Sequence, residues 1–349
     1  MTPHPTTGMH LPASFSDVEE LEEFMTRPSS VLVADLAGVA GDIIVLGVGG
    51  KIGPTLARMA KRAAPAKRII GVARFSTPTL RTQLEASGIE CIATNLLDRR
   101  RLEALPDCPN VVFMAGKKFG STDDQAGTWA VNTLVPASVA ERYPQSRIVA
   151  FSTGCVYPFV DVNGPGAAED SPIGPPAGEY ANSCVGRERM FEYFSRRHGT
   201  PGRLLRLNYA IDMRYGVLHD IGRRVLRGEA VDLTTGHCNV IWQGDAIEFG
   251  LRALAHCTTP TSPLNISGAQ HTSVRDLARA FGERFGRDAR FRASEALTAW
   301  LVDTRQARLL LGEPRVTVAT MVDWCADWLR RDMPTLDKPT HFDVRDGKY

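Results

Sequence analysis

Residues 42–53 join a short apolar run to a glycine-rich turn and read Asp42-Ile43-Ile44-Val45-Leu46-Gly47-Val48-Gly49-Gly50-Lys51-Ile52-Gly53. The β-branched run predicts a buried strand, and the composition of residues 54–62 predicts a helix with a proline at its start. Glycines in a Gly-x-x-Gly-x-x-Gly spacing let the backbone turn tightly and approach a pyrophosphate, which the amides at the helix start can bind. The segment therefore predicts a dinucleotide-binding turn, to which we assign Gly47, Gly50, Lys51, Ile52 and Gly53.

Further apolar runs alternate with helix-compatible segments along the chain. The runs cover residues 68–73, 89–93, 110–115 and 147–152, and the longest intervening helical pattern covers residues 125–142. Regular alternation of strand and helix predicts a parallel sheet that is covered on both faces and connected by right-handed crossovers. The expected fold class is therefore α/β, with a doubly wound parallel sheet of the Rossmann type and a smaller C-terminal substrate lobe.

The same pattern divides the chain into three parts. Residues 1–40 are expected to form an N-terminal extension with a short helix, and residues 41–200 the dinucleotide-binding Rossmann domain. After residue 200 the alternation loosens, although residues 203–208 still read as a strand. Residues 201–349 are therefore expected to be mainly a substrate-binding lobe with excursions back to the sheet.

Composition narrows the classes of partner. A formal net charge of +2, from 41 basic and 39 acidic residues, gives no electrostatic case for nucleic acid or an anionic membrane. The longest apolar region, residues 31–48, contains Asp35 and Asp42 and does not predict a membrane span. The seven cysteines fit neither a disulfide framework nor a metal site. We expect a cytoplasmic protein without a metal whose partners are a small-molecule substrate and a second copy of the chain.

Residues that follow the second and third predicted strands indicate which cofactor the chain binds. Arg74 stands where an NAD-specific chain usually presents an acidic residue to the ribose hydroxyls, and arginine suits a 2′-phosphate better. The expected cofactor is therefore NAD or NADP, with NADP favoured; the alternative is a surface arginine stacked on adenine. Asn95 and Leu96 are expected at the adenine ring, with an ordinary turn as the alternative.

Several segments together resemble one known family. They are the glycine turn, the stretch Phe113-Met114-Ala115-Gly116, the stretch Phe151-Ser152-Thr153-Gly154-Cys155-Val156-Tyr157, and the stretch Tyr180-Ala181-Asn182-Ser183-Cys184. In this order they resemble the extended short-chain dehydrogenase/reductases, the NAD(P)-dependent epimerase/dehydratase family, over residues 41–330. The resemblance implies that Ala115 and Gly116 flank the cofactor, that Thr153 orients the substrate oxygen and that Tyr180 is the acid/base. It also implies a homodimer that pairs through residues 125–142 and 180–197.

One position departs from that family, because Cys184 occupies the place of the active-site lysine four residues after Tyr180. In the family the lysine lowers the tyrosine pKa and holds the nicotinamide ribose. A free tyrosine ionises near pH 10, and a cation at about 4 Å is worth roughly 4 kcal/mol, or about three pKa units. A neutral thiol gives no such help. The cationic oxidised nicotinamide, or an ammonium from Lys117 or Lys118, is the expected substitute, and alignment with the family's epimerases favours Lys118.

The expected function is an NAD(P)-dependent oxidoreductase or epimerase/dehydratase that acts on a sugar-like or other polyhydroxylated small molecule. Asn208, Arg214 and Tyr215 follow the strand at residues 203–208, and we expect them to contact substrate at the carboxyl end of the sheet, with ordinary surface-loop residues as the alternative. Two other functions remain open. One is a dinucleotide-binding sensor or impaired homologue without net hydride transfer, and the other is a lyase or isomerase that regenerates its cofactor in each cycle.

Overall fold

The computed structural model describes residues 11–174, 178–338 and 340–348, so the first ten residues of the predicted N-terminal extension lie outside it. Its strands, in chain order, are β1 Ile43–Leu46, β2 Ile69–Ala73, β3 Glu90–Ala93, β4 Asn110–Phe113, β5 Arg147–Thr153, β6 Val160–Asp161, β7 Gly202–Leu207, β8 Ala210–Ile211, β9 Ala230–Asp232, β10 His237–Cys238, β11 Ile241–Trp242, β12 Ser262–Ile266, β13 Thr272–Ser273, β14 Arg290–Arg292 and β15 Thr298–Ala299.

The helices are α1 Val18–Met25, α2 Ser30–Gly38, α3 Gly53–Ala63, α4 Pro78–Ala86, α5 Arg99–Glu103, α6 Gln125–Trp129, α7 Val135–Arg142, α8 Gly178–His198, α9 Val217–Arg227, α10 Gln243–Arg252, α11 Val274–Phe285, α12 Arg305–Leu311 and α13 Val318–Arg330. A π-helical turn, Ala130–Leu134, joins α6 to α7, and short 3₁₀ turns cover Gly154–Val156 and Ala253–His256. The helix predicted over residues 125–142 is therefore interrupted at its centre.

In the described part of the chain, seven strands form one parallel sheet in the order β12-β7-β5-β4-β1-β2-β3. The chain moves outward in one direction from β1 to β3 and in the other from β4 to β12, so the strand order reverses between β1 and β4. In a doubly wound sheet, ligands bind outside the carboxyl ends of the strands at this switch point. The predicted doubly wound parallel sheet is confirmed.

Alternate residues of β1 show how the sheet is buried on both faces. Ile43 and Val45 join the apolar core under α2, α3 and α10, whereas Ile44 and Leu46 join the core under α5, α7 and α8. Successive strand side chains point to opposite faces, so the continuous apolar run in the sequence is the signature of a strand covered on both sides.

The N-terminal extension carries two helices, α1 and α2, rather than the one short helix that the sequence predicts. Phe15 and Phe24 pack against Trp324 with ring centroids 4.9 and 5.6 Å apart, and Trp324 packs on Trp242 at 5.3 Å. The extension is thereby tied to α13 and the start of α10. The division of the chain at residues 40 and 200 stays a prediction, although β7 and β12 do return to the central sheet.

A buried ion pair links α8 to the sheet. Arg206 of β7 donates to Glu188 at 2.8 Å, and the two side chains are 4% and 3% exposed. Ser152 of β5 also donates to Glu188, at 2.5 Å, and Arg206 donates to the carbonyl of Glu169 at 3.0 Å. Because both charges are satisfied by hydrogen bonds, the pair fixes the position of α8 against the end of β5.

The segment that follows α13 returns to the carboxyl edge of the sheet. The amide and hydroxyl of Thr340 donate to Asp220 of α9 at 2.7 and 2.6 Å. Arg345 donates to Thr298, and its guanidinium lies 3.8 Å from the ring centroid of Phe159. The backbone of Gly347 packs against Gly178 at the start of α8. This segment, residues 340–347, therefore covers part of the site described next.

Candidate active site

Two adjoining cavities lie at the carboxyl edge of the sheet, beyond the neighbouring strands β1 and β4, between which the strand order reverses. The larger, which we call the glycine-turn cavity, has a volume of about 660 Å³ and extends from Gly47 to Arg74 and Asn95. The smaller, which we call the tyrosine cavity, has a volume of about 320 Å³ and is lined by Thr153 and Tyr180. The two share several lining residues, namely Gly47, Gly50, Met114, Gly116 and Phe119.

The glycine turn fits a dinucleotide. Gly47 has a φ of +97°, and a methyl group there would overlap the backbone of Met114 and Ala115. A side chain at Gly53 would overlap Val48, so the turn closes directly onto the first turn of α3. The amides of that turn have no intrahelical acceptor and can bind an anion, as the sequence motif predicts.

The cofactor residues expected from the sequence divide between the two cavities. Arg74, Asn95, Leu96 and Ala115 line the glycine-turn cavity, while Lys51, Ile52 and Gly53 line the tyrosine cavity; Gly47, Gly50 and Gly116 line both. Arg74 is exposed, and the side-chain oxygen of Asn95 accepts from the amide of Leu97 at 3.2 Å. The only carboxylate among the described lining residues of the larger cavity is Asp124, which is paired with Lys117.

Tyr180 and Thr153 meet in the tyrosine cavity. Thr153 ends β5, and its hydroxyl accepts the amide of Cys155 at 3.2 Å as the chain enters a 3₁₀ turn. Tyr180 lies in the first turn of α8, and its side chain is hydrogen-bonded to that of Thr153. The strand end and the helix start thus place two hydroxyl groups side by side, in contact with the cavity.

Burial keeps the Tyr180 hydroxyl protonated. Removal from water raises its pKa well above the usual value, and the neighbouring thiols of Cys184 and Cys155 raise it further, while Arg187 and the hydrogen bond with Thr153 act in the opposite direction. The group is therefore a proton donor at neutral pH. It becomes a base only where positive charge near it outweighs the effect of burial on its pKa.

Cys184 does not line either cavity. It is fully buried one helical turn after Tyr180, in an apolar cluster with Val156, Tyr157 and Val302. Burial raises the pKa of its thiol above the usual value, so it is a neutral packing group. The position four residues after Tyr180 is thus filled by a side chain that carries no charge.

Arg187 supplies a positive charge that sequence reasoning missed. It lies two helical turns after Tyr180, lines the same cavity, and donates to the Phe151 carbonyl and to the Asn132 side chain, both at 2.8 Å. A Cβ built on Gly116 would lie 2.8 Å from its Nη2 atom, so the guanidinium lies directly against the glycine that joins the two cavities. The seven-residue spacing could have revealed it, because positions i and i+7 share a helix face.

Two lysines also face the tyrosine cavity. The Lys118 ammonium lies 5.8 Å from the ring centroid of Tyr180 and donates to the Thr340 carbonyl at 3.4 Å. The Lys51 ammonium lies 3.3 Å from the ring centroid of Tyr215 and 4.5 Å from that of Phe119. Burial lowers the pKa of Lys118 and lowers that of Lys51 to about 7. Lys117 is instead held by Asp124.

The three expected substrate residues have different surroundings. Asn208 and Tyr215 line the tyrosine cavity, although the Asn208 amide already donates to Asn239 at 2.9 Å. Arg214 lines neither cavity, because its guanidinium is held by Asp212 and by Glu22 of α1, each at 2.8 Å. A substrate contact by Arg214 stays a prediction that the geometry does not favour.

Solved structures that are similar to this one include sugar-nucleotide epimerases. UDP-glucose 4-epimerase of Thermotoga maritima, solved with UDP-glucose, is 19% identical over 83% of this chain and 99% of its own, with a TM-score of 0.69. UDP-glucuronic acid 4-epimerase of Bacillus cereus, solved with NAD, is 20% identical over the same shares, with a TM-score of 0.69. UDP-glucose 4-epimerase of Thermus thermophilus, also solved with NAD, is 19% identical over the same shares, with a TM-score of 0.68.

At these identities the likeness shows the fold, and no curated protein matches the sequence. Among the described residues, no helix is long and apolar enough to cross a membrane. The model of the NAD dependent epimerase/dehydratase family matches residues 43–236, which is more than half of the chain and includes the glycine turn, Thr153 and Tyr180. The chain belongs to the NAD dependent epimerase/dehydratase family, whose members are enzymes of the short-chain dehydrogenase/reductase type.

Proposed function

We propose that this protein is an NAD(P)-dependent oxidoreductase or epimerase/dehydratase that acts on a sugar-like, polyhydroxylated small molecule. One observation carries the proposal: the hydrogen-bonded side chains of Tyr180 and Thr153 face a cavity that opens into the glycine-turn cavity. A substrate hydroxyl or carbonyl in the tyrosine cavity would therefore lie between an acid/base group and a nicotinamide site.

The chain's own residues would orient the substrate and move a proton. Thr153 hydrogen-bonds the reacting substrate oxygen, and Tyr180 gives its proton to that oxygen during reduction or accepts one during oxidation. The bound nicotinamide cofactor would supply or accept the hydride. Gly116, at the junction of the cavities, lets the two ligands approach each other because it has no side chain.

A positive charge near Tyr180 is needed for oxidation, and two residues are candidates for it. Arg187 is fixed by two hydrogen bonds, lines the same cavity as Tyr180 and acts to lower the pKa of the Tyr180 hydroxyl. Lys118, the candidate from the sequence, lies near the Tyr180 ring, but burial lowers its pKa and so weakens its charge. We therefore assign the main role to Arg187 and a supporting one to Lys118.

The choice between NAD and NADP rests on Arg74. This side chain is exposed at the end of β2, beside Asn95 and Leu96, and could bind a 2′-phosphate. The epimerases of Bacillus cereus and Thermus thermophilus were solved with NAD. We propose that the chain accepts both cofactors and binds NADP more tightly.

A dinucleotide-binding sensor is the second candidate function. The observation that favours it is the replacement of the family's lysine by the buried thiol of Cys184, next to a tyrosine whose pKa is raised. Such a protein would bind a dinucleotide without turning over a substrate.

We propose a cytoplasmic homodimer. Exposed apolar side chains lie on the helices that pair in the family, with Trp129, Leu134 and Tyr193 exposed by 40%, 58% and 52%. All seven cysteines are free thiols, as a reducing compartment favours. Sedimentation of the full chain and of the Leu134→Glu variant tests the dimer: a monomer in both would exclude it.

Native mass spectrometry with NAD+, NADH, NADP+ and NADPH, followed by a 340 nm screen against aldoses and sugar acids, tests the function. The proposal expects binding and a change in absorbance with at least one substrate. Binding without an absorbance change, but with conversion of a sugar nucleotide, indicates a cofactor that is regenerated in each cycle. Binding without any conversion favours the sensor, and the absence of dinucleotide binding contradicts both.

A further inference from the structure

Lys51 places an ammonium group in the tyrosine cavity rather than along the cofactor turn from which it arises. Its Nζ atom lies between the rings of Tyr215 and Phe119, at 3.3 and 4.5 Å from their centroids. Lys51 lines the tyrosine cavity and is not among the residues that line the glycine-turn cavity. Its charge therefore lies in the cavity that also holds Thr153 and Tyr180.

Other positive charges converge on the same region. Lys118 shares the Phe119 ring with Lys51, its Nζ lying 5.9 Å from the ring centroid, and Arg187 lines the cavity wall. The described residues that line this cavity include no aspartate or glutamate. The acidic residue Asp220 acts on both lysines; it does not line the cavity and accepts hydrogen bonds from the amide and hydroxyl of Thr340.

This arrangement is unfavourable without a ligand. Burial, Lys118 and Lys338 lower the pKa of Lys51 to about 7, and Asp220 opposes them only in part. Aromatic faces attract an ammonium but do not neutralise it, and a partly buried cation is stabilised far more by an anion that hydrogen-bonds to it. A ligand that carries a negative charge would offset the charges of both lysines at once.

We propose that Lys51 and Lys118 form an anion subsite that binds a carboxylate or phosphate group of the substrate, in the same cavity as Tyr180 and Thr153. This inference rests on the proposed function and narrows its substrate class to anionic polyhydroxylated molecules, such as sugar acids or sugar phosphates. The same anion chemistry could come from the pyrophosphate of the cofactor, since Lys51 follows Gly50 in the glycine turn. The contact of its ammonium with Tyr215, which lines only the tyrosine cavity, favours the substrate.

The test uses the full-length protein and its Lys51→Gln, Lys51→Arg and Lys348→Gln variants, the last being a control at a lysine whose side chain is 72% exposed. Calorimetric titrations with inorganic phosphate, D-gluconate and neutral sorbitol measure anion binding, and titrations with NAD+ and NADP+ measure cofactor binding. The wild-type protein is expected to bind an anion but not sorbitol. Lys51→Gln is expected to weaken anion binding by about tenfold or more, whereas the Arg variant and the control stay within about threefold.

The pH dependence provides a second readout. Wild-type anion affinity is expected to fall as the pH rises from 6 to 9, because Lys51 loses its proton near pH 7, and the Lys51→Arg variant is expected to lose this dependence. Lys118, Lys338, Asp220 and Tyr215 face the same region, so the arginine variant separates Lys51 from their titration.

Three outcomes would overturn the inference. They are no anion binding by the wild-type protein, equal anion binding by Lys51→Gln, and a loss confined to NAD+ and NADP+ binding, which would assign Lys51 to the pyrophosphate. Because the titrations need no turnover, failure of the proposed function is seen separately, as absent dinucleotide binding or absent conversion by the wild-type protein. Turnover of neutral sugars alone would contradict the anion subsite while leaving the proposed function intact.

Discussion

Arg187 lies two helical turns after Tyr180 and lines the same cavity, with its guanidinium fixed by the Phe151 carbonyl and the Asn132 side chain. It is the charged group that acts to lower the Tyr180 pKa, in a helix whose residue 184 is a neutral thiol. The helix α8 therefore places a positive charge near Tyr180 at residue 187, and none at residue 184.

Moving the positive charge from position 187 to position 184 tests whether Arg187 lowers the Tyr180 pKa. Arg187→Gln is expected to move the alkaline rise of the oxidation rate upward by about one pH unit or more, because Tyr180 then ionises less readily. Adding Cys184→Lys to that variant is expected to move the rise back, and Arg187→Lys alone to shift it least. The pH profile of kcat measures this effect. An unchanged profile in a folded Arg187→Gln variant would show that Arg187 only packs the helix.

Removal of the acid/base hydroxyl gives the second prediction. Tyr180→Phe is expected to lower kcat by about 100- to 10,000-fold while leaving dinucleotide affinity unchanged, because proton transfer is lost and the cofactor site is not. Tyr193→Phe is a matched control, since Tyr193 lies on the same helix and is 52% exposed. Steady-state kinetics with cofactor titrations measure both effects. Full activity in Tyr180→Phe would remove the residue from the mechanism.

Arg74 gives a prediction on cofactor preference. Arg74→Ala is expected to weaken NADP+ binding by about tenfold or more and NAD+ binding by less than about threefold, because only NADP carries the 2′-phosphate. Arg100→Ala, at an exposed arginine of α5, is the control. Fluorescence titrations with the two cofactors measure the ratio of affinities. Equal losses for both cofactors would mean that Arg74 contacts the adenosine instead.

Stability should rise when the Lys51 ammonium is removed. Lys51 has a folded pKa of about 7, below its usual value of 10.5, so its protonation favours the unfolded chain wherever the pH is below 10.5. Lys51→Met is therefore expected to raise Tm by about 2 °C or more at pH 7, and the gain should shrink as the pH rises from 7 towards 10.5. Thermal unfolding of the wild-type protein and the Lys51→Met variant between pH 7 and pH 10.5 measures this difference in Tm. A gain that is independent of pH would indicate better packing instead.

The buried pair of Arg206 and Glu188 gives a prediction on folding. Glu188→Ala is expected to lower the free energy of unfolding by about 3–5 kcal/mol, because it leaves Arg206 charged and buried without its partner. Glu103→Ala is the control, since its pair with Arg99 is exposed and screened by water, and its loss is expected to change the free energy of unfolding far less. Urea unfolding measures both. Similar losses in the two variants would show that burial does not strengthen the pair.

Features that depend on neighbouring residues could be foreseen. The turn at Gly47 and the doubly wound parallel sheet follow from local strand, glycine and helix patterns, and the fold class was confirmed; the order of the strands came from the structure alone. Thr153 and Tyr180 were found through short motifs that each end or begin one element. Their meeting in one cavity follows from the parallel sheet, because the carboxyl ends of its strands share an edge.

Features that depend on distant partners could not be foreseen. Arg214 was predicted to contact substrate because it follows a strand. Its guanidinium instead donates to Glu22, which lies 192 residues earlier in the chain. Thr340 entered no sequence argument, yet it lines the tyrosine cavity and accepts a hydrogen bond from Lys118. Helical periodicity could have predicted Arg187, which lies seven residues after Tyr180. The sequence motif directed the prediction to position 184 instead.

The contact between Thr340 and Asp220 also sets the order in which the site can be assembled during synthesis. Asp220 leaves the ribosome 120 residues before its partner. By then the strands from β1 to β7 and the glycine turn have been made, so a dinucleotide pocket can form early. The substrate wall is completed only when residue 340 emerges, which means that a nascent or truncated chain would hold cofactor before it could enclose a substrate.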